Sequence, residues 1–366
     1  MIGAPGVIES TGVDERVGTA WSMWSIRLVC AGVLGVLMAL AVGSPVVADP
    51  AGPTDYRSEV VAIEPSAAVV VTVIGGDSFL QLVADAGTEV LVVGYQGEPY
   101  LWFQPDGTVL ENRNAPSTYV NEDRFGGSDI PPNASVDAEP DWVEVASSGR
   151  YAWHDHRAHW MQRSRPLGQG PGDQILEAVI PLEVNGEAVD VTVISTWQPA
   201  PSAVPVWIGL ALGAAVAAGA WALRRGGRSA HLVTIPLAAA AAVAGIAQFR
   251  SLPAETDPRV LWWALPTIAV ACAVGGLVAH WRNARFFGDA ATLLVGVELA
   301  IWGWIKRDGF SAALIPTDAP GWFDRLATAA ALVGGVGLTG LALWWLFAPG
   351  FSGSTERSDS PLPAHP

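Results

Sequence analysis

Lysine is nearly missing from this chain: Lys306 alone stands beside 19 arginines. With its abundant alanine, glycine and valine, the chain has the bias of a high-GC bacterial protein. Cysteine is almost as scarce. Cys30 and Cys272 both lie in apolar runs, so no disulfide can brace the polar stretch between them, which must fold on a core of its own. That stretch has neither a Gly-x-Ser-x-Gly elbow nor a cysteine nucleophile, which removes the usual acyl-transfer chemistries. No Gly-x-x-x-x-Gly-Lys-Ser/Thr loop occurs, which removes the common mode of ATP hydrolysis. The expectation is a protein that is not an enzyme. Charge is sparse too, at 15% of residues against about 25% in ordinary soluble domains.

What the chain has instead is long apolar runs. Hydrophobic residues make up 51% of it and the mean hydropathy is +0.33. The net charge of −15 is unevenly spread. Residues 49–202 hold 23 acidic and 7 basic side chains, a net of −16, and the remainder is nearly neutral. An acidic surface of this kind repels nucleic acid, so none is expected as a partner; membrane lipid and proteins of the envelope are.

Leu28 to Val42 is an unbroken apolar run with Arg27 before it and Ser44-Pro45-Val46-Val47-Ala48 after it. A basic flank, a short apolar core and small residues at −3 and −1 describe a secretory signal peptide over residues 1–48, cleaved after Ala48. Met23 is an alternative start that gives a signal of ordinary length, and an uncleaved first transmembrane helix is the competing reading. Residues 49–202 form the expected extracytoplasmic domain. Short β-favouring runs alternate there with turn signals: Val60–Ile63, Ala68–Ile74, Phe79–Val83, Val90–Tyr95, Tyr100–Phe103, Val109–Leu110, Ile175–Ile180 and Val189–Thr196. Gln104-Pro105-Asp106-Gly107 and Val184-Asn185-Gly186-Glu187 read as hairpin turns, and 126–141 and 166–173 as loops. The spacing predicts a β-rich, sandwich-like fold without helices.

Pro199-Ala200-Pro201-Ser202 links this domain to residues 203–347. Five apolar runs there, near 204–223, 232–249, 260–281, 286–305 and 326–347, are each long enough to cross a hydrocarbon layer of roughly 30 Å at about 1.5 Å per residue. Tryptophans cluster at their ends, where amphipathic indoles favour the interface. The expected class is therefore an exported β domain followed by an all-α transmembrane bundle of five helices in the cell membrane. Basic residues divide five against five between the two sets of short loops, so the signal peptide decides the orientation. It puts the β domain outside and a disordered tail, 348–366, in the cytoplasm.

Chemistry-bearing residues concentrate in Tyr151-Ala152-Trp153-His154-Asp155-His156-Arg157-Ala158-His159-Trp160-Met161. Imidazole binds copper and zinc, and a thioether favours reduced copper. On a strand, His154 and His156 share one face and His159 takes the other, unless the strand ends or bulges near Arg157. Two readings stand. In one, His154, His156, His159 and Met161 hold copper or zinc. In the other, the aromatics are core, and the histidines and Arg157 are hydrogen-bonded structural groups paired with Asp155 or another nearby acid. A metallo-β-lactamase-type site is excluded, because Ala158 occupies the position of that motif's aspartate.

Within the apolar runs, Glu298 and Asp289 are the outliers, since a carboxylate in hydrocarbon is expensive unless protonated or paired. Arg250, Arg259 and His280, at helix ends, are the expected partners.

The box Ser148–Met161, with Gly97-Glu98-Pro99-Tyr100-Leu101 and Tyr119-Val120-Asn121-Glu122-Asp123-Arg124, resembles an uncharacterised family of actinobacterial multi-pass membrane proteins that carry a signal peptide and an acidic N-terminal ectodomain. The resemblance implies this architecture and no activity; some proteins of the layout accompany copper-handling genes. The expected function is a non-enzymatic cell-envelope membrane protein whose ectodomain binds a ligand, copper in its sharpest form. The alternatives are a small-molecule or ion transporter using Glu298 and Asp289, or an assembly subunit of a membrane complex.

Overall fold

A computed structural model describes residues 51–347. The expected signal peptide, the alternative start at Met23, Cys30 and the tail from residue 348 lie outside the described residues.

Ten antiparallel strands form the first part. β1 (Tyr56–Glu64), β10 (Glu187–Trp197), β9 (Gln174–Val184), β4 (Val90–Val93), β5 (Pro99–Phe103), β6 (Val109–Asn112) and β7 (Trp142–Ala146) make a seven-stranded sheet in that spatial order. A three-stranded sheet of β2 (Val69–Ile74), β3 (Phe79–Ala84) and β8 (Arg150–Trp153) completes it. Alternation sets which face is buried: Val189, Val191 and Val193 point inward from β10, Ile180 and Leu182 from β9, Leu80 and Leu82 from β3. These side chains share one core with Tyr100, Leu101, Phe103 and Trp153, so the sheets are packed on each other as a sandwich. The β9–β10 turn is the expected one, with positive φ at both Asn185 (51°) and Gly186 (81°).

β7, β8 and a short helix, α1 (Pro116–Val120), depart from the sequence expectation. β7 and β8 are brief, and α1 spans only five residues, too few for a helical period to register.

Five helices follow: α2 (Val204–Arg225), α3 (His231–Arg250), α4 (Leu261–Trp281), α5 (Arg285–Ile305) and α6 (Gly321–Phe347). All five are long and apolar enough to cross a membrane. Small residues let their backbones touch. A Cβ at Gly209 or Gly213 would meet carbonyl oxygens of α6 at 2.4 and 2.5 Å, and one at Gly245 would meet the Trp262 carbonyl at 1.8 Å.

That last contact has a cause in α4. Pro266 has no N–H, so the Trp262 carbonyl loses its helical donor. The indole Nε1 of Trp302 on α5 supplies the missing bond at 2.7 Å, and Gly245 on α3 leaves room for it. Both tryptophans are buried, so water is poorly placed to replace this donor. Trp302→Phe is expected to destabilise the bundle by ~1–3 kcal/mol, measured as thermal unfolding in detergent. A change within ~0.3 kcal/mol would mean that the carbonyl finds another partner.

The β domain is seated on the bundle. Ala51, Phe79 and Ala152 from the domain form a buried apolar cluster with Leu252 and Trp262 from the helices. Thr54 and Leu314 exchange backbone hydrogen bonds of 3.1 and 2.8 Å, and Asp55 accepts from Ala313 N at 3.0 Å. The α3–α4 and α5–α6 loops therefore share one side with the β domain. The α2–α3 and α4–α5 loops lie on the other, where Arg224, Asp289, His231 and Thr292 meet.

Candidate functional site

The histidine box is a turn hung from the end of β8. The strand stops at Trp153, and the buried Asp155 stops it. Its carboxylate accepts from Arg157 N at 3.0 Å, capping a 3-10 turn over His156–Ala158. It also accepts from Arg157 Nε at 2.9 Å, Arg157 Nη2 at 2.8 Å and Trp153 Nε1 at 3.2 Å. Arg157 in turn donates to the Val93 carbonyl at 3.1 Å and lies over the Tyr95 ring, tying the box to β4. Tyr95 Oη accepts from His156 N at 2.8 Å and donates to Asn121 Oδ1. Burial pushes the Tyr95 phenol up, so it stays protonated and keeps this pair of bonds.

Because the strand ends before His154, the faces of a strand no longer govern the histidines, and the turn gathers them. The His156 and His159 rings are 5.5 Å apart and edge-on; His154 and His159 are 6.3 Å apart. His154 is buried and stacked on Phe79 at 4.1 Å. His156 Nε2 faces the Asp123 carbonyl at 2.8 Å, and His159 Nδ1 faces the Trp160 carbonyl at 3.2 Å. A carbonyl only accepts, so each of those nitrogens carries the proton and leaves the other ring nitrogen as a lone pair. His159 Nε2 is buried without a hydrogen-bond partner. Met161 is half-buried beside the same turn: its Cε and His156 Cε1 lie 3.9 and 3.8 Å from where a Cβ on Gly126 would stand.

Burial, with the positive Arg124 nearby, pushes His159 down to about 3 from its ordinary 6.5. The folded chain refuses the proton that the unfolded chain takes up below about pH 6.5. Stability is thus complete above the unfolded value and is lost as pH falls from there toward 3. His159→Gln is expected to lose less stability than wild type between about pH 7.5 and about pH 5 in denaturant titrations. Equal losses in both proteins would show that His159 is protonated in the fold.

The two fully buried carboxylates nearby are already engaged. Asp155 is held by Arg157, and Asp77, wholly buried, is held by Arg124 at 2.6 Å. Among the described residues, no group of three or more His, Cys, Asp and Glu is arranged to hold a metal ion. On its other flank His154 lines a cleft of about 280 Å³ with Tyr100, Glu111, Tyr151 and Glu255, the last from the α3–α4 loop. Burial pushes the Glu111 carboxyl up, partly offset by Arg113.

The two intramembrane carboxylates are not brought together. Asp289 pairs through both oxygens with Arg224, at 3.1 and 2.8 Å. This corrects the expected partners: Arg250, Arg259 and His280 ion-pair with neither carboxylate among the described residues. Arg224 ends α2 and Asp289 lies in the first turns of α5, so the helix ends that meet opposite the β domain fix the pair. Glu298 is buried and its Oε2 has no partner. Sequence reasoning offered Asp155 as a partner of Arg157 but not as the cap that ends β8 and organises the turn. The signal was present, since Asp two residues before Arg at a strand end is a turn and cap residue.

Five bilayer-length helices joined to an antiparallel β domain define a multi-pass integral membrane protein with lipid-facing apolar helices. No family model, curated protein or solved structure matches the chain.

Proposed function

We propose that this is a non-enzymatic membrane protein of the cell envelope whose ectodomain binds copper(I) through His156, His159 and Met161. The observation that carries the reading is the buried, neutral His159 Nε2 without a partner, one ring away from His156. Both imidazoles donate their other N–H to a backbone carbonyl, the arrangement that orients metal-binding histidines and fixes their tautomer. Copper(I) fits better than zinc. Zinc takes four ligands, commonly with carboxylate or thiolate, and the two fully buried carboxylates nearby, Asp77 and Asp155, are bound to arginines. Two imidazoles and a thioether form a soft, low-coordinate set. His154, stacked on Phe79, would serve as a wall rather than a ligand.

The test is titration of the full-length protein in detergent with copper(I), against a competing chelator, beside zinc(II). One equivalent of copper(I) is expected, with weaker zinc. Met161→Leu and His159→Gln, each checked for native unfolding behaviour, should each weaken it at least about tenfold. A folded wild type that binds no copper(I), or variants that bind as well, would retire the reading.

A transport reading has less support, because Arg224 closes Asp289 and leaves Glu298 alone. An assembly subunit would instead tolerate changes at His156, His159 and Met161. In the proposed topology the β domain and the α3–α4 and α5–α6 loops are outside the cytoplasm, and the end of α6 is inside.

A further inference from the structure

The β domain is strongly acidic, yet one cleft on it is basic. Three of the ectodomain's seven arginines, Arg124, Arg163 and Arg165, line a space of about 380 Å³ together with Arg259 from the α3–α4 loop. Phe125 and Trp160 are among its walls, and Asp55 is the one acidic residue in its lining. Guanidinium groups gathered in one cleft repel one another, and a bound anion relieves that repulsion.

The arginines are unequally engaged. Arg124 is committed to Asp77 at 2.6 Å. Arg165 reaches Asp55 only at 3.8 Å and lies over Trp197. Arg163 rests on the Phe125 ring at 4.4 Å. Neither Arg163 nor Arg259 makes an ion pair among the described residues, and both are exposed. The cleft thus keeps two uncompensated guanidinium groups, the side chain best suited to phosphate.

Its place narrows the ligand. Arg259 stands two residues before α4, whose first turn carries Trp262 and Trp263. Trp207, Trp304 and Trp322 mark the neighbouring helix ends on the same side and are exposed, as an interfacial belt requires. The cleft therefore lies on the side of the bundle that carries these tryptophans, and it has more room than a bare phosphate fills.

We infer that this cleft is an anion site for a phosphate group, supplied by the headgroup of an anionic phospholipid of the surrounding leaflet. It is independent of the copper site. The alternative source of the same chemistry is a soluble phosphate.

The experiment follows thermal unfolding of the full-length protein in a neutral detergent. Additions are short-chain phosphatidylglycerol, inorganic phosphate at constant ionic strength, and an uncharged diacylglycerol of the same chain length. A saturable rise in Tm with phosphatidylglycerol is expected, with diacylglycerol inert. In a protein carrying Arg163→Gln and Arg259→Gln, both exposed and outside every ion pair, the half-saturating concentration should rise about tenfold or more. A rise with phosphatidylglycerol and not with phosphate supports the lipid source. A rise with both, lost in the variant, supports a phosphate site that either source can fill. A rise with inorganic phosphate alone moves the assignment to a soluble ligand and overturns the lipid. No saturable effect, an equal effect of diacylglycerol, or an effect intact in the variant overturns the site.

Discussion

Asp155→Ala is expected to destabilise the ectodomain by ~3–5 kcal/mol, enough to unfold a marginal domain. The carboxylate is fully buried and accepts three bonds from Arg157 and one from Trp153 Nε1, with Tyr95 Oη 3.5 Å away. Removing it strands a guanidinium that is itself only 16% exposed. The Arg157 bond to Val93 then loses its anchor, and with it the tie between the histidine turn and β4. Breaking one side of a buried pair is far worse than removing both sides, because the surviving charge has no solvent to return to. The variant carrying Asp155→Leu with Arg157→Met should therefore recover much of the loss. Denaturant unfolding of the full-length protein measures both. A loss below ~1 kcal/mol in Asp155→Ala would mean that Arg157 finds water or another acceptor.

The second large effect is expected at the chain's one lysine. Lys306, just past α5, meets Asp324 on α6 at 2.5 Å, with both side chains 3% exposed. Burial pulls the ammonium's pKa down and Asp324 pulls it back up. The ammonium also lies 4.6 Å from the Trp302 ring centroid. Lys306→Met leaves Asp324 charged in a dry site and is expected to cost ~3–5 kcal/mol, whereas Lys306→Met with Asp324→Leu should be close to neutral. The location adds a second consequence. Between these residues runs the α5–α6 loop, whose Ala313 and Leu314 hold the β domain, and Arg325 braces it by donating to the carbonyls of Gly309, Ala312 and Ala313. Lys306→Met should thus loosen the domain from the bundle, read as faster amide exchange at Thr54 and Leu314. Protection unchanged there would separate the ion pair from the seating of the domain.

The five helices were legible from sequence because a bilayer-length apolar run needs no partner to be recognised; the observed spans differ from the expected ones by a few residues, most at the start of α6. The long strands were legible for a similar reason, as Val189, Val191 and Val193 alternate with polar neighbours. β8 was not, because its four residues run straight into the histidine box and only the Asp155 cap says where the strand stops. The placement of His154 and His156 on one strand face therefore does not hold, whereas the exception to it, a strand that ends near Arg157, does. Long-range pairs were out of reach. Arg224 and Asp289 are 65 residues apart, and nothing local in either helix names the other. The same holds for the basic cleft, where Arg124, Arg163 and Arg259 come from three separate segments. It holds too for Trp302, whose indole answers a defect that Pro266 makes in a different helix.

The direct test of the proposed copper site is an X-ray absorption spectrum at the copper edge of the full-length protein loaded with one equivalent of copper(I). Two imidazole nitrogens and one sulfur are expected around the metal, with the sulfur lost in Met161→Leu. Copper bound without sulfur, or a sulfur signal that survives Met161→Leu, would contradict the assignment of His156, His159 and Met161.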